Sequence, residues 1–153
     1  MITPMSSEPY AHDDGASPRF LVVDSRVPHQ IRQMLDEADG CLNMAFGMGG
    51  TACARKAVDL ILDTEHAAAD DYAASLLTLS EKHPAVAPAL FQILGMLGQG
   101  TEPLSAESLK ALIVTVKAIV YEIYVLGAER IERLMYVHQL VESLKREPAD
   151  ARH

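Results

Sequence analysis

The longest apolar pattern in this chain reads SAESLKALIVTVKAIVYEI and spans residues 105–123. Ser105 is a type of residue that caps helix N-termini, and apolar residues recur after it at helical spacing. The apolar residues on one face are Leu109, Leu112, Ile113, Val116, Val120 and Ile123. Because a soluble protein must cover such a face, we predict that this segment is a buried helix packed against other helices.

Breakers and capping residues divide the chain before residue 105 into further helices. We predict these helices from the following landmarks: Pro28 to Gly47, Thr51 onwards, Asp70 or Asp71 to His83, and about Ala85 to Met96. The glycine-rich run 47–50 is expected to end the first helix, and Thr51 is expected to cap the second. The aromatic fraction is only 5%, which suits packed helices better than a sheet. The sequence therefore predicts an all-α, up-and-down helical bundle with an extended C-terminal helix.

The two ends of the chain differ from this bundle. Residues 1–19 are rich in Pro, Ser, Asp and Gly, and we predict a disordered tail there. Residues 20–23, with sequence FLVV, form a short apolar run that fits either a brief strand or an extended arm packed on the domain. We assign residues 20–127 to the bundle and residues 128–153 to a C-terminal helix that is a candidate dimerisation element.

The C-terminal helix carries a short coiled-coil-like pattern. The residues at alternating three- and four-residue steps are Ile131, Leu134, His138 and Val141. This spacing produces a narrow seam that a second helix can cover. We predict a homodimer with these residues at its interface, and a different protein partner is the other candidate for the same seam.

The charge and the apolar segments bear on partners and location. The formal net charge is −8, and an acidic surface repels the phosphate backbone, so nucleic acid is not the expected partner. The N-terminus lacks the charged and apolar regions of a signal peptide. The apolar stretch 111–128 contains Lys117 and Glu122, which makes it a poor membrane span. We expect a cytoplasmic protein with no membrane partner.

The sequence predicts no metal ion and no cofactor. None of the six histidines forms an HxxxH or HExxH pair, and the run 95–100 lacks the glycine order and the lysine of a phosphate-binding loop. Cys41 and Cys53 do not form a CxxC motif, and we expect free thiols. A disulfide between them is a less favoured alternative that requires their helices to pair antiparallel.

Arg55 and Lys56 are the candidate binding residues on the second helix. Arg55 either pairs with a carboxylate such as Glu37 or Asp59 across the helix hairpin or recognises a ligand or partner, and the sequence leaves both interpretations open. A further set of residues could form an adaptable partner surface: Met44, Met48 and Met96. Methionine at helical spacing more often fills a core, and we adopt that interpretation.

Several short motifs occur in a characteristic order. They are Val27-Pro28-x-x-Ile31, Leu35-x-Glu37-Ala38-x-x-Cys41-Leu42-Asn43, Ala54-Arg55-Lys56-Ala57-Val58, Leu97-Gly98-Gln99-Gly100-Thr101-Glu102-Pro103, Ser105, and Tyr121-Glu122-Ile123-Tyr124-Val125. This order, over about residues 20–127, resembles the HEPN superfamily (higher eukaryotes and prokaryotes nucleotide-binding). It looks most like the bacterial branch described as a domain of unknown function in defence-associated and restriction-linked proteins.

The resemblance implies a helical fold in which the active members are metal-independent ribonucleases. Those enzymes use an Arg and a His a few residues apart, usually across a dimer interface. In the branch that this chain resembles, the Arg precedes a Gly-Asn turn and the His precedes a Pro. The corresponding positions here hold Gly95, Gln99 and Glu102. The catalytic pair is therefore lost, and the resemblance implies no catalytic residue.

These observations favour a non-catalytic HEPN-like interaction or regulatory module, in a bacterial or phage defence or toxin–antitoxin setting. The binding residues that we expect are Arg55, Lys56, Gln99 and Glu102. One alternative is a ribonuclease that uses displaced residues, such as Arg55 with Glu102. Another is a nucleotide-binding domain in which Arg55 and Lys56 contact the phosphates.

Overall fold

The computed structural model describes residues 17–147, which form helices and no strand. The elements are a 3-10 turn (Arg19–Leu21), α1 (His29–Asn43), α2 (Gly47–Thr64), α3 (Tyr72–Lys82), α4 (Pro88–Leu97), α5 (Ala106–Val120), a π-helical segment (Tyr121–Leu126) and α6 (Gly127–Arg146). The all-α bundle predicted from the sequence is confirmed. The disordered tail was predicted for residues 1–19, and most of that range lies outside the described residues.

Helix α5 lies at the centre of the bundle. All of its predicted apolar residues are buried: Leu109, Leu112, Ile113, Val116, Val120 and Ile123, the last of which belongs to the π-helical segment. The α1–α2 hairpin packs on one side of α5 and α4 packs on another, while α3 packs on α4. Burial of this apolar surface is the main stabilising contribution to the fold.

Two helix N-termini are capped as the sequence predicts. The Asp71 carboxylate accepts a 2.7 Å hydrogen bond from the backbone N–H of Ala74 at the start of α3. The Ser105 hydroxyl accepts a 3.2 Å bond from the backbone N–H of Ser108 at the start of α5. Each cap satisfies a donor that has no partner within its own helix.

The prediction that the glycines at 47–50 end the first helix is wrong. The reversal lies at residues 44–46, where Ala45 adopts a left-handed φ of 63°. The glycines form the first turn of α2, and Gly50 is buried, so close to α5 that a Cβ on it would lie 2.6 Å from Leu109 Cδ2. Packing between helices therefore overrides the weak helix propensity of glycine. Thr51 is not the cap, since its hydroxyl accepts a 2.9 Å bond from the backbone N–H of Leu104.

The start of the described chain also differs from its prediction. Phe20 and Leu21 belong to the 3-10 turn instead of a strand, and this turn packs on α5. Val22 is exposed, whereas Val23 packs against the core. Pro28 precedes α1 as its N-cap residue and does not occupy the first helical position.

Helix α5, the π-helical segment and α6 form one continuous helical run, Ala106–Arg146. An 18-residue window of this run has a mean hydropathy of 1.8, so by length and composition alone it could cross a membrane. Of that window, 44% is buried inside the protein. Gly127 does not break the run, because its φ of −62° is helical. The π-helical segment is the irregular part.

Candidate functional site

Arg55 fixes the loop between α4 and α5. Its Nε donates a 3.0 Å hydrogen bond to the carbonyl oxygen of Leu97. Its Nη1 donates to the carbonyl oxygens of Gly100 and Glu102, at 3.1 and 2.8 Å. These carbonyls end α4 or lie in the loop, where helical partners are missing. The guanidinium therefore supplies hydrogen bonds that the loop backbone cannot make to itself.

The carboxylate partners considered for Arg55 are not its hydrogen-bond partners. Glu37 instead lies beside Cys53, with a distance of 3.8 Å between Oε1 and Sγ. Burial raises the pKa of the Cys53 thiol, and the neighbouring Cys41 thiol and Glu37 carboxylate add to the rise. Both cysteines are free thiols, and a raised pKa makes Cys53 a poor nucleophile.

The loop is also held on its α4 side. The Tyr72 hydroxyl donates a 2.8 Å hydrogen bond to the carbonyl oxygen of Leu94 and occupies the space where a Cβ on Gly98 would stand. Gly100 has a φ of 124°, a backbone conformation that residues with a Cβ rarely adopt. The geometry of this loop therefore depends on two glycines, the half-buried Tyr72 hydroxyl and the Arg55 guanidinium.

A cavity of about 650 Å³ lies beside this loop, with Arg55 and Gln99 in its lining. The carboxylates in the same lining are Asp59, Asp63, Asp70 and Asp71. Partial burial raises the pKa of Asp59, with Asp63 adding to the effect and Lys56 opposing it. Carboxylates outnumber cations here, so the cavity repels phosphate groups.

A second groove, of about 390 Å³, shares Arg55, Asp59 and Gly100 with this cavity. Lys56 lines it together with Met48, Thr101 and Pro103. The structure thus brings Arg55, Lys56, Gln99 and the backbone of Glu102 to one end of the bundle. Of these four residues, Arg55 already donates hydrogen bonds from its Nε and Nη1 to backbone carbonyls of the loop.

The positions to which the HEPN resemblance would assign catalysis do not form an acid–base pair. Gly95 is exposed on α4, with nothing within 4 Å of where its Cβ would stand. Gln99 and Glu102 are exposed on the loop. In the part of the chain that the structure describes, no histidine lines either cavity. RNA cleavage by an Arg–His pair needs an imidazole and a guanidinium that is not already hydrogen-bonded to the backbone.

The four seam residues are not part of this end of the bundle. They lie on α6, whose first turn contacts the body through Glu129, 3.5 Å from Arg26. Within the described residues, none of the α6 side chains is buried. The exposed large apolar side chains of α6 are Ile131, Leu134, Met135, Tyr136, Val137, Leu140, Val141 and Leu144. His138 is also exposed, 3.8 Å from Glu142.

The core-filling interpretation of the methionines is wrong. Met44, Met48 and Met96 are 64%, 74% and 76% exposed. The first two flank Phe46, also exposed, at the turn between α1 and α2. Helical spacing could not predict the exposure of Met44 and Met48, because the chain reverses at residues 44–46 and takes their side chains off the buried face. Met96 lies on the exposed side of α4.

A further titratable cluster lies at the C-terminus of α2. Glu65 contacts His83 Nε2 at 2.7 Å, and its backbone carbonyl accepts a 2.8 Å bond from Lys82. The Tyr124 hydroxyl is buried near the Glu65 carboxylate. Burial and the nearby Glu65 carboxylate raise the pKa of Tyr124. These contacts tie α2, α3 and the π-helical segment together, and the sequence offered no signal for them.

No family model, characterised protein or solved structure matches this chain closely enough to provide a relative.

Proposed function

We propose that this protein is a non-catalytic, HEPN-like interaction module that acts as a cytoplasmic homodimer. The observation that carries the proposal is the exposure of α6, which has 20 residues and buries none of them. Its large apolar side chains are 41–70% exposed. The apolar side chains of α6 gain stability when a partner covers them, because burial removes their surface from water.

The bundle itself supports a non-catalytic role. Arg55 hydrogen-bonds backbone carbonyls, and the positions of the family's catalytic pair hold Gly95 and Glu102. Carboxylates predominate among the charged groups that line the nearby cavity, which disfavours both a scissile phosphate and a nucleotide. We extend the proposal to a defence or toxin–antitoxin setting because of the family resemblance. Genes of such a system adjacent to this one would support that setting.

The first test is sedimentation velocity over a dilution series at micromolar concentration. We expect the wild-type chain to sediment as a dimer. The double variant Leu134→Glu, Val141→Glu should sediment as a monomer with unchanged far-UV circular dichroism, because it places charges on the apolar stripe. The matched control is Gln139→Glu, Ser143→Glu, on the polar face of the same helix. A wild-type chain that is monomeric throughout the series would overturn the homodimer.

The alternative ribonuclease is tested with labelled single-stranded and structured RNA in the presence of EDTA. We expect no cleavage. Arg55→Ala alone is an ambiguous control because the substitution also removes the support of the loop. Lys56→Ala and Glu102→Ala are better controls, since both side chains are exposed. Cleavage that either variant abolishes would show that the chain is an enzyme after all.

A further inference from the structure

We infer that Cys41 and Cys53 form a redox-sensitive thiol pair, which peroxide converts into a reversible disulfide between α1 and α2. The inference goes beyond the proposed function and does not depend on the homodimer. It follows from three features of the α1–α2 hairpin: the close approach of its helices, the direction in which each thiol points, and the access of solvent to the pair.

The α1–α2 hairpin meets the condition that the sequence left open for a disulfide. The chain reverses at residues 44–46, and the two helices then pack along each other in antiparallel directions, with Gly50 facing Cys41 and Cys53 facing Glu37. The helices approach closely, since a Cβ on Gly50 would lie 3.2 Å from Cys41 Cβ. Such an approach is what a disulfide requires, because it joins residues whose Cα atoms lie within about 7 Å.

Each thiol lies at the helical turn that precedes the other cysteine. Cys53 Sγ is 3.8 Å from Oε1 of Glu37, which stands one turn before Cys41. Cys41 Sγ is 3.2 Å from where a Cβ on Gly49 would stand, one turn before Cys53. Side chains tilt towards the N-terminus of their own helix, so in an antiparallel pair the two thiols lean towards each other. Their proximity also shows in the pKa of Cys53, which burial raises and the Cys41 thiol raises further.

The pair is open to a small oxidant. Both cysteines are half-buried, whereas Glu37 and Gly49, the residues beside the two sulfur atoms, are exposed. Peroxide therefore reaches the thiols from the surface of the hairpin and does not have to enter the core.

Disulfide formation takes two steps. We assign the first attack to Cys41, because the raised pKa of Cys53 keeps that thiol protonated. The Cys41 thiolate forms an S–O bond as the O–O bond of hydrogen peroxide breaks, and the hydroxide that leaves takes up the proton that Cys41 released. Cys53 sulfur then displaces the sulfenic hydroxide, which leaves as water with the Cys53 proton. Two thiols and one peroxide thus give one disulfide and two waters, and a thiol reductant reverses the change.

Thiol counting tests the pair in the full-length chain, which contains only these two cysteines. The protein is treated with hydrogen peroxide, denatured and labelled with a maleimide. We expect two labels before oxidation, none after it, and two again after dithiothreitol. The oxidised protein should run as a single chain on a non-reducing denaturing gel. Two labels after oxidation, a crosslinked two-chain product, or labels that dithiothreitol does not restore would overturn the proposal.

A displaced pair is the matched control. The double variant Cys41→Ser, Gly40→Cys keeps two thiols but moves one of them by about 100° around α1. Gly40 is exposed, with nothing within 4 Å of where its Cβ would stand, so the new side chain fits. We expect this variant to form the intramolecular disulfide about tenfold more slowly than the wild type, because its thiols point apart. Equal rates would show that the folded hairpin does not pair the native thiols.

Discussion

Arg55 Nη1 donates a 2.8 Å hydrogen bond to the backbone carbonyl oxygen of Glu102, a residue 47 positions later in the chain. The same nitrogen also donates to the carbonyl of Gly100. The residue that the sequence marks as a candidate for ligand binding therefore maintains the α4–α5 loop. Its positive charge is placed against carbonyl dipoles instead of an opposite charge.

Arg55→Ala should lower the free energy of unfolding by about 2–4 kcal/mol, because the loop carbonyls lose charge-assisted hydrogen bonds. Arg55→Lys should recover only a part of this loss, since a lysine cannot present donors in the same planar fork. Urea unfolding at a fixed protein concentration measures both variants. Lys56→Ala, a neighbouring exposed cation, is the control and should change stability by less than about 0.5 kcal/mol. Equal stability of Arg55→Lys and the wild type would contradict the loop-support role.

Gly50→Ala should destabilise the protein by about 1–3 kcal/mol. The added Cβ would lie 2.6 Å from Leu109 Cδ2 and 3.2 Å from Cys41 Cβ, so α2 would have to move away from α5. Gly40→Ala is the matched control in α1, where a Cβ meets nothing within 4 Å. That variant should stabilise by up to about 1 kcal/mol through helix propensity. Thermal or urea unfolding of both variants tests the contrast, which a stabilising Gly50→Ala would refute.

The sequence predicts those parts of the fold that depend on local chemistry. The caps at Asp71 and Ser105 and the buried face of α5 follow from residue type and spacing alone. The glycines at 47–50 were misassigned because close packing against Leu109, a tertiary contact, decides their role. For the same reason the partners of Arg55 could not be predicted, since they are backbone carbonyls more than 40 positions away.

The methionine patch and helix α6 show what helical spacing alone cannot predict. The methionine patch follows a helical pattern, but the chain reverses within it at Ala45 and leaves Met44 and Met48 in solvent. On α6 the spacing correctly marks an apolar stripe. Two overlapping registers at three- and four-residue steps share Leu134 and Val141: one includes Ile131 and His138, and the other includes Val137 and Leu144. Exposure does not choose between them, because the residues of both are exposed, whereas residue type favours the register without an imidazole.

Asp39→Asn should destabilise the protein more than Lys117→Met. Lys117 is 7% exposed, and its Nζ lies 2.6 Å from Asp39 Oδ2. Removing the carboxylate charge leaves an ammonium group in the core, which should cost about 1–3 kcal/mol because Asp39 is itself partly exposed. Lys117→Met removes the charge and keeps most of the volume, so its effect should stay within about 1 kcal/mol. Urea unfolding of both variants measures the two losses of stability. A larger loss for Lys117→Met than for Asp39→Asn would contradict the cost of leaving the ammonium group unpaired.

Tyr72→Phe should lower the free energy of unfolding by about 1 kcal/mol at neutral pH, because it removes the hydrogen bond from the hydroxyl to the carbonyl of Leu94. The loss should be modest, since the Leu94 carbonyl also accepts a 2.8 Å bond from the backbone N–H of Gly98. The variant separates the contribution of this hydroxyl from that of the guanidinium on the other side of the loop.

The same pair of proteins tests the pH dependence of this contact. Burial raises the pKa of Tyr72 from 10.0 to about 12, with Asp59 adding to the rise and Arg55 opposing it. A phenol whose pKa is higher in the folded state stabilises fully below the unfolded pKa, and this contribution is lost as pH rises through the folded pKa. The stability advantage of the wild type over Tyr72→Phe should therefore be constant up to about pH 9 and shrink between pH 10 and 12. Urea unfolding of both proteins at pH 7, 9 and 11 measures it. An advantage that stays constant up to pH 11 would mean that the phenol is exposed to solvent and has the same pKa in both states.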